Sequence, residues 1–251
     1  AGGNWPKRFV PIALEPDAEA MEAERRDGIE PAVVPTRVLA DRTQSVLTYN
    51  DSPDIGFAVG LNPYRGCEHG CIYCYARPTH EYFGYSLGLD FETVIFAKPD
   101  APRLLETELR SKSYRPMTIA MSGITDCYQP IERRMGITRG CLEVLLRFRN
   151  GVGIVTKNHL VTRDLDVLGE MARLGLARVD VSVTSLDVEL ARKMEPRASS
   201  PARRIEAIRR CAEAGVPVGV IIAPVIPSIN DREIPTILRA AKEAGAQWAH
   251  F

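Results

Sequence analysis

The chain has 251 residues, with Lys+Arg and Asp+Glu equal at 32 each. A hydrophobic fraction of 45% and a charged fraction of 25% describe an ordinary globular protein, large enough to bury a core without disulfide staples. Zero net charge gives no support for a nucleic-acid, membrane or acidic partner; with no apolar run near ~20 residues and no opening signal pattern, a cytoplasmic protein is expected.

Residues 1–55 are proline-rich and without period. They are expected to form an irregular N-terminal arm, with a helix-permissive acidic patch at 15–26 and breaks at Pro31 and Pro35. From residue 56 short β-branched runs alternate with amphipathic stretches. The strand candidates are 58–62, 93–97, 117–121, 153–156, 178–183, 217–222 and 247–250. The helix candidates are 101–113, 139–149, 164–174, 201–214 and 233–244. Thr138 stands where an N-cap is expected. Gly175, Gly215 and Gly245 follow helical runs as C-terminal caps do. The run at 93–97 breaks the alternation and is expected as an insertion or edge element. The other six strands suit an α/β fold built as a partial (β/α)6 barrel over 56–251, with a doubly wound open sheet as the alternative. Either arrangement puts the chemistry at the carboxyl ends of the strands. The chain opens on Ala1 and stops at Phe251 within a strand-like run, so a domain truncated at its C-terminus is expected.

Six cysteines are present, and three of them fall within Gly66-Cys67-Glu68-His69-Gly70-Cys71-Ile72-Tyr73-Cys74, directly after the first barrel strand. Clustering in a chain of this size points to metal rather than disulfides. Three thiolates on one short loop can hold one face of a cubic iron–sulfur cluster and leave one iron open. Gly66 and Gly70 permit the tight backbone path. Zinc remains the rival, with His69 or His80 as a fourth ligand; a four-cysteine electron-transfer cluster has no fourth cysteine nearby.

The C-x3-C-x2-C spacing, with an aromatic before the last cysteine, resembles the radical SAM superfamily. The run Gly60-Leu61-Asn62-Pro63-Tyr64-Arg65-Gly66-Cys67 and the later Thr125-Asp126-Cys127-Tyr128-Gln129-Pro130 are similar to its branch related to spore photoproduct lyase. The resemblance spans about residues 45–251. It implies a 4Fe–4S cluster on Cys67, Cys71 and Cys74. It also implies S-adenosylmethionine (SAM) at the open iron, cleaved by one electron to a 5′-deoxyadenosyl radical that takes hydrogen from a substrate. A one-electron reductant of the flavodoxin or ferredoxin type is the implied partner. The substrate is not specified; a nucleic-acid lesion or base stands among several options.

The same resemblance assigns candidate SAM contacts. Tyr73 would lie by the adenine. Thr125 and Asp126 stand where the family has a Gly-Gly-Glu-like run for the SAM ammonium, a departure from its pattern. Lys157 would hold the carboxylate, Ser182 would touch SAM, and the small Ala223 would let adenine approach. The ordinary alternatives are core packing for Tyr73 and Ala223, a turn cap for Asp126, a solvated lysine and a strand hydroxyl. Cys127 is either a hydrogen-atom donor or a small buried hydrophobe. From 192 to 210, seven Lys/Arg face two acids. Arg197 is a candidate to reach the site. The remaining cations, Arg203 and Arg204 among them, would either receive a phosphate backbone or form a solvated face paired with Glu206 and Glu213. The rival function is a metal-stabilised binding module without turnover.

Overall fold

The computed structural model describes residues 9–14, 17–29, 35–53 and 56–251. Residues 15 and 16 of the acidic patch, and Pro31, lie outside them.

The N-terminal segment contributes β1 (Phe9–Ile12), α1 (Ala18–Arg26), β2 (Arg37–Asp41) and β3 (Leu47–Tyr49). It is therefore regular in part, where an irregular arm was expected. The reason is non-local. β2 pairs in parallel with β6 (Val94–Ala97), and β1 adds to β2 antiparallel. β5 (Tyr64–Arg65) closes the other side of β6, giving a four-stranded sheet in the order β1-β2-β6-β5. The run at 93–97, expected as an insertion or edge, is thus an interior strand of this small sheet, buried at all four positions.

The larger sheet carries the expected alternation. β4 (Val59–Leu61), β7 (Ile119–Met121), β8 (Val152–Thr156), β9 (Ala177–Ser182), β10 (Val218–Ile221) and β11 (Trp248–His250) pair in parallel, each with the next. β3 adds antiparallel to β4, so the order runs β11-β10-β9-β8-β7-β4-β3. This is the partial (β/α)6 arrangement, open between β3 and β11 among the described strands. Its strands read as apolar runs because helices cover them. α3 (Ala101–Leu109), α5 (Ile137–Arg147), α6 (Leu165–Arg173), α8 (Pro201–Glu213) and α9 (Ile234–Glu243) bury Leu105, Leu142, Leu168, Ile208 and Ile237 in one core with Ile119, Ile154, Val179 and Val220. Cys141 and Cys211 are fully buried in that core, which explains cysteines far from the loop.

Short helices α2 (Asp90–Thr93), α4 (Glu132–Met135) and α7 (Val188–Met194) fill connections, with 3-10 turns at Arg77–Phe83, His159–Asp164 and Asp231–Glu233. Gly175, Gly215 and Gly245 each end a helix with positive φ, as their place after helical runs predicts. Thr138 does not cap. α5 begins one residue earlier, and the Thr138 hydroxyl donates to the Cys127 carbonyl at 2.6 Å while its N–H donates to Glu132. No helix among the described residues is long and apolar enough to cross a membrane.

The small sheet fixes how the chain leaves β4. Tyr64 and Arg65 pair with Ala97 and Phe96. Buried Lys98 donates from Nζ to the Asn62 carbonyl at 2.8 Å and from its backbone to Pro63 at 3.0 Å. The cysteine loop starts from this clamp.

Candidate functional site

The loop after β5 turns on two glycines. Gly66 has φ +76° and Gly70 φ +66°. A Cβ on Gly66 would stand 2.8 Å from the Phe91 carbonyl oxygen, and one on Gly70 2.3 Å from a Glu92 carboxylate oxygen. Both positions therefore need glycine for conformation and for space. The Cys67 N–H donates to the Phe91 carbonyl at 2.9 Å. The Thr125 hydroxyl donates to the Gly66 carbonyl at 2.6 Å, and the Gln129 side chain bridges Gly66 and Glu68. Buried Glu68 accepts from the Ile131 N–H (2.5 Å), the Thr36 hydroxyl (2.7 Å) and Arg197 (3.3 Å). Arg77 donates to the Cys71 carbonyl at 2.9 and 3.1 Å and to Glu92 at 3.1 Å. The Gly66 and Cys71 carbonyls and the Cys67 and Glu68 N–H groups are thus held by groups outside the loop.

Cys67, Cys71, Cys74 and Tyr73 line a cavity of about 360 Å³. The ends of neighbouring parallel strands complete it, with Thr125 and Asp126 after β7, Lys157 after β8, Ser182 closing β9 and Ala223 after β10. The structure therefore brings together all nine residues singled out in the sequence for cluster and SAM. It leaves Cys127 out. That thiol is fully buried in the core, its N–H donating to Ser122 Oγ at 2.9 Å, and burial pushes it well above its ordinary pKa. Cys127 is a core residue that does not line the cavity.

Lys157 projects from the rim with two of its three donors engaged. Its Nζ donates to Ser182 Oγ at 2.6 Å and lies 3.2 Å from Glu195 Oε1. It also sits 5.6 Å from the centre of the Tyr73 ring. Glu195 is the hub that sequence reasoning missed. Its carboxylate takes the Tyr73 hydroxyl, the Thr184 hydroxyl at 2.6 Å, Lys157, and the guanidinium of Arg204. Burial raises the Glu195 pKa, but Arg204 and Lys157, with the Thr184 and Tyr73 hydroxyls, overcome it and hold the carboxyl far below its usual range. The same burial, with Glu195 beside it, pushes the Tyr73 phenol up. Arg204 is 1% exposed and also donates to the carbonyls of Ser199 (2.6 Å) and Ser182 (3.2 Å). A lone acid inside a basic run gave no sign of this.

Much of the basic segment is therefore paired with acids and is not a wholly solvated cationic face. Arg204 is buried on Glu195, Arg203 holds Asp27 at 2.7 Å, Arg209 holds Glu206 at 2.5 Å, and Arg192 pairs with Glu189 at 3.6 Å. Arg197 anchors the outside of the cysteine loop through Glu68 and does not line the cavity.

Asp126 and Thr125 reach the cavity with much of their bonding capacity spent. Asp126 accepts from the Tyr128 N–H, the Thr156 hydroxyl and the Lys157 N–H, each at 2.8 Å, and His69 Nδ1 stands 3.4 Å away. It ties the end of β7 to the end of β8. His69 is buried, its other ring nitrogen faces Asn158 at 3.2 Å, and burial lowers its pKa. His80 sits apart in an aromatic cluster, with Nε2 2.9 Å from the Val94 carbonyl.

The donor set fits an iron–sulfur cluster. Burial, then the Asp126 charge, raises the Cys67 thiol well above its ordinary pKa, and burial pushes Cys71 up to about 12. Such thiols ionise when a bound cation offsets the charge. A cubane takes one thiolate at each of three corners, so the sulfurs need not meet at one point. Among the described residues no group of three or more His, Cys, Asp or Glu could hold a metal ion between them.

Comparison with known proteins agrees with this arrangement. The family model described as Radical SAM superfamily matches residues 61–241. An uncharacterised protein of Mycobacterium tuberculosis is 36% identical over 192 residues, which cover 76% of this chain and 56% of that protein. An uncharacterised protein of Methanocaldococcus jannaschii is 29% identical, covering 69% of this chain and 62% of its own length. The chain thus spans between about half and two thirds of these curated relatives. Among solved structures, spore photoproduct lyase complexed with dinucleoside spore photoproduct superposes with a TM-score of 0.60 at 20% identity, covering 84% of this chain and 58% of that one. A mutant of the same lyase with bound AdoMet and dinucleoside spore photoproduct gives 0.60 at 18% identity, over 94% and 64%. At that identity the likeness is one of fold.

Proposed function

The chain belongs to the radical SAM superfamily, and we propose on that footing that it is an enzyme holding a 4Fe–4S cluster on Cys67, Cys71 and Cys74 with SAM in the adjoining cavity. With both bound, the cofactors supply reductive cleavage of SAM to a 5′-deoxyadenosyl radical that abstracts hydrogen from a substrate. The chain's own residues bind and orient. Lys157, pinned by Glu195 and Ser182, offers its third donor to a carboxylate. Tyr73, fixed through its hydroxyl by Glu195, presents its ring as an apolar wall for adenine. Asp126 and Thr125 act mainly by positioning, holding β8 and the cysteine loop in register, and the lone-pair capacity left on Asp126 faces the ammonium. Ala223 leaves room where a larger side chain would fill the cavity.

The observation that carries the reading is that three loop cysteines and polar residues from the ends of successive parallel strands line one cavity. A second cavity of about 840 Å³ shares Ser122, Gly123, Val155 and Ile221 with it, which gives a substrate space beside SAM. A DNA lesion is one substrate class, on the analogy with the structures of spore photoproduct lyase, and fold analogy alone supports it. A flavodoxin- or ferredoxin-type protein is the proposed electron donor. A reducing cytoplasm is the proposed setting, where cysteines stay available as cluster ligands.

Iron and sulfide analysis after anaerobic reconstitution tests the cluster. About four of each per chain are expected, the content of a cubane. Stoichiometric zinc without sulfide would mean the metal-stabilised binding module instead.

A further inference from the structure

Apart from the cysteine cavity, a smaller one of about 230 Å³ lies among α1, α4, the 3-10 turn His159–Asp164 and α8. It shares no lining residue with the first. Four arginines from these four elements line it, Arg26, Arg133, Arg163 and Arg203, together with His159 and Asp27.

The charges do not cancel at its centre. Asp27 is 3% exposed and takes Arg203 on one oxygen at 2.7 and 2.9 Å and Arg133 on the other at 3.0 Å. Two guanidiniums thus face one buried carboxylate. Glu24 also acts on Arg133, but it shares that role among Arg134 and Arg197. Among the described residues Arg26 pairs with exposed Glu22 at 3.7 Å, a surface pair of little strength. Arg163 alone is fully engaged, on Glu132 and Asp164.

Among the described residues, two donors in the wall lack acceptors. Arg203 approaches His159 Nδ1 at 3.1 Å, and a guanidinium only donates. With Asp27 Oδ1 farther off at 3.5 Å, Nδ1 is assigned as the acceptor, which puts the ring proton on Nε2. That Nε2 and the Nε of Arg133 are both buried without a partner. Buried donors nearly always have one.

We propose that this cavity binds a phosphate-type oxyanion. Surplus guanidinium charge supplies the attraction, arginine forks match the geometry of phosphate oxygens, and an oxygen seated there provides the acceptor the wall donors lack. The site is independent of the reading of the cysteine cavity and requires neither cluster nor SAM.

The test compares melting of the full chain in sodium phosphate and in sodium chloride at matched ionic strength and pH. At low millimolar concentration, where exclusion from the surface is small, phosphate raises the wild-type melting temperature above chloride in a saturable way, by mass action. Arg26→Gln leaves the partners of Asp27 in place, melts like wild type in chloride, and weakens phosphate binding about tenfold or more. His159→Gln also loses the contact of Nδ1 with Arg203, so it is read by its own shift between the two salts, which should shrink. Equal melting in the two salts, or a phosphate effect unchanged in both variants, overturns the proposal. Anisotropy of a labelled single-stranded oligonucleotide then separates the sources. Binding that phosphate displaces and Arg26→Gln weakens assigns a phosphodiester backbone; a phosphate effect without oligonucleotide binding assigns a free phosphate or phosphomonoester.

Discussion

Removing Glu195 strands a charge. Its carboxylate is 2% exposed and stands against Arg204, itself 1% exposed. In Glu195→Ala the guanidinium keeps its bonds to Ser199 and Ser182 but loses its counter-ion. Breaking a buried pair from one side costs about 3–5 kcal/mol, a large share of the ~5–15 kcal/mol that holds a domain together. For a chain of this size the melting temperature should fall by roughly 6–20 °C. Calorimetry or urea unfolding measures it. Adding Arg204→Met removes the stranded cation and should recover part of the loss, because the two sites are coupled and not additive. The pH dependence has a definite sign. The folded carboxyl lies below its ordinary 4.5, so the unfolded chain takes the proton first. The stabilisation is full above that value and is lost as the pH falls below it. Glu195→Ala should therefore show a shallower acid limb than wild type. A loss under about 1 kcal/mol, or effects of the two substitutions that simply add, would refute the hub.

Other expectations follow from the same geometry. Cys67→Ala, Cys71→Ala and Cys74→Ala should each abolish iron and sulfide binding in reconstituted protein, whereas Cys141→Ala and Cys211→Ala, in the core, should retain the cluster. Lys157→Ala should keep the cluster but weaken SAM about ten- to a hundredfold by calorimetric titration, the worth of one charge-assisted hydrogen bond; unchanged affinity would remove Lys157 from the SAM site. Gly70→Ala forces a Cβ into left-handed backbone against Glu92, so it should cost about 1–2 kcal/mol in unfolding measurements and lower cluster occupancy. An alanine there that reconstitutes like wild type would contradict the loop geometry.

The parallel sheet was legible because its strands are buried runs bounded by helices that end on Gly175, Gly215 and Gly245. The cysteine loop was legible because its three cysteines are close in sequence. The N-terminal strands were not, since β1 and β2 have no period of their own and owe their form to β6, far along the chain. The same distance hid the role of 93–97. At the site, the nine residues line one cavity, but the partners that hold them were not legible. Asp126 reads in sequence as an ammonium acceptor or a turn cap; its bond from the Tyr128 N–H is that cap, and Thr156 and Lys157, which sequence did not suggest, fill more of its capacity. Arg203 and Arg204 read as surface cations, yet Asp27 and Glu195 hold them, and both carboxylates come from other elements. Charge counting along a segment cannot see a counter-ion that only folding delivers.

The central claim is that the cavity walled by the three cysteines is where SAM is reductively cleaved. The direct measurement is chromatographic detection of 5′-deoxyadenosine after adding SAM and dithionite to anaerobically reconstituted protein. Wild type should form it, Lys157→Ala should form it more slowly at low SAM, and Cys71→Ala should form none. A fully loaded wild-type cluster that yields no 5′-deoxyadenosine, or equal product from Cys71→Ala, would contradict the account.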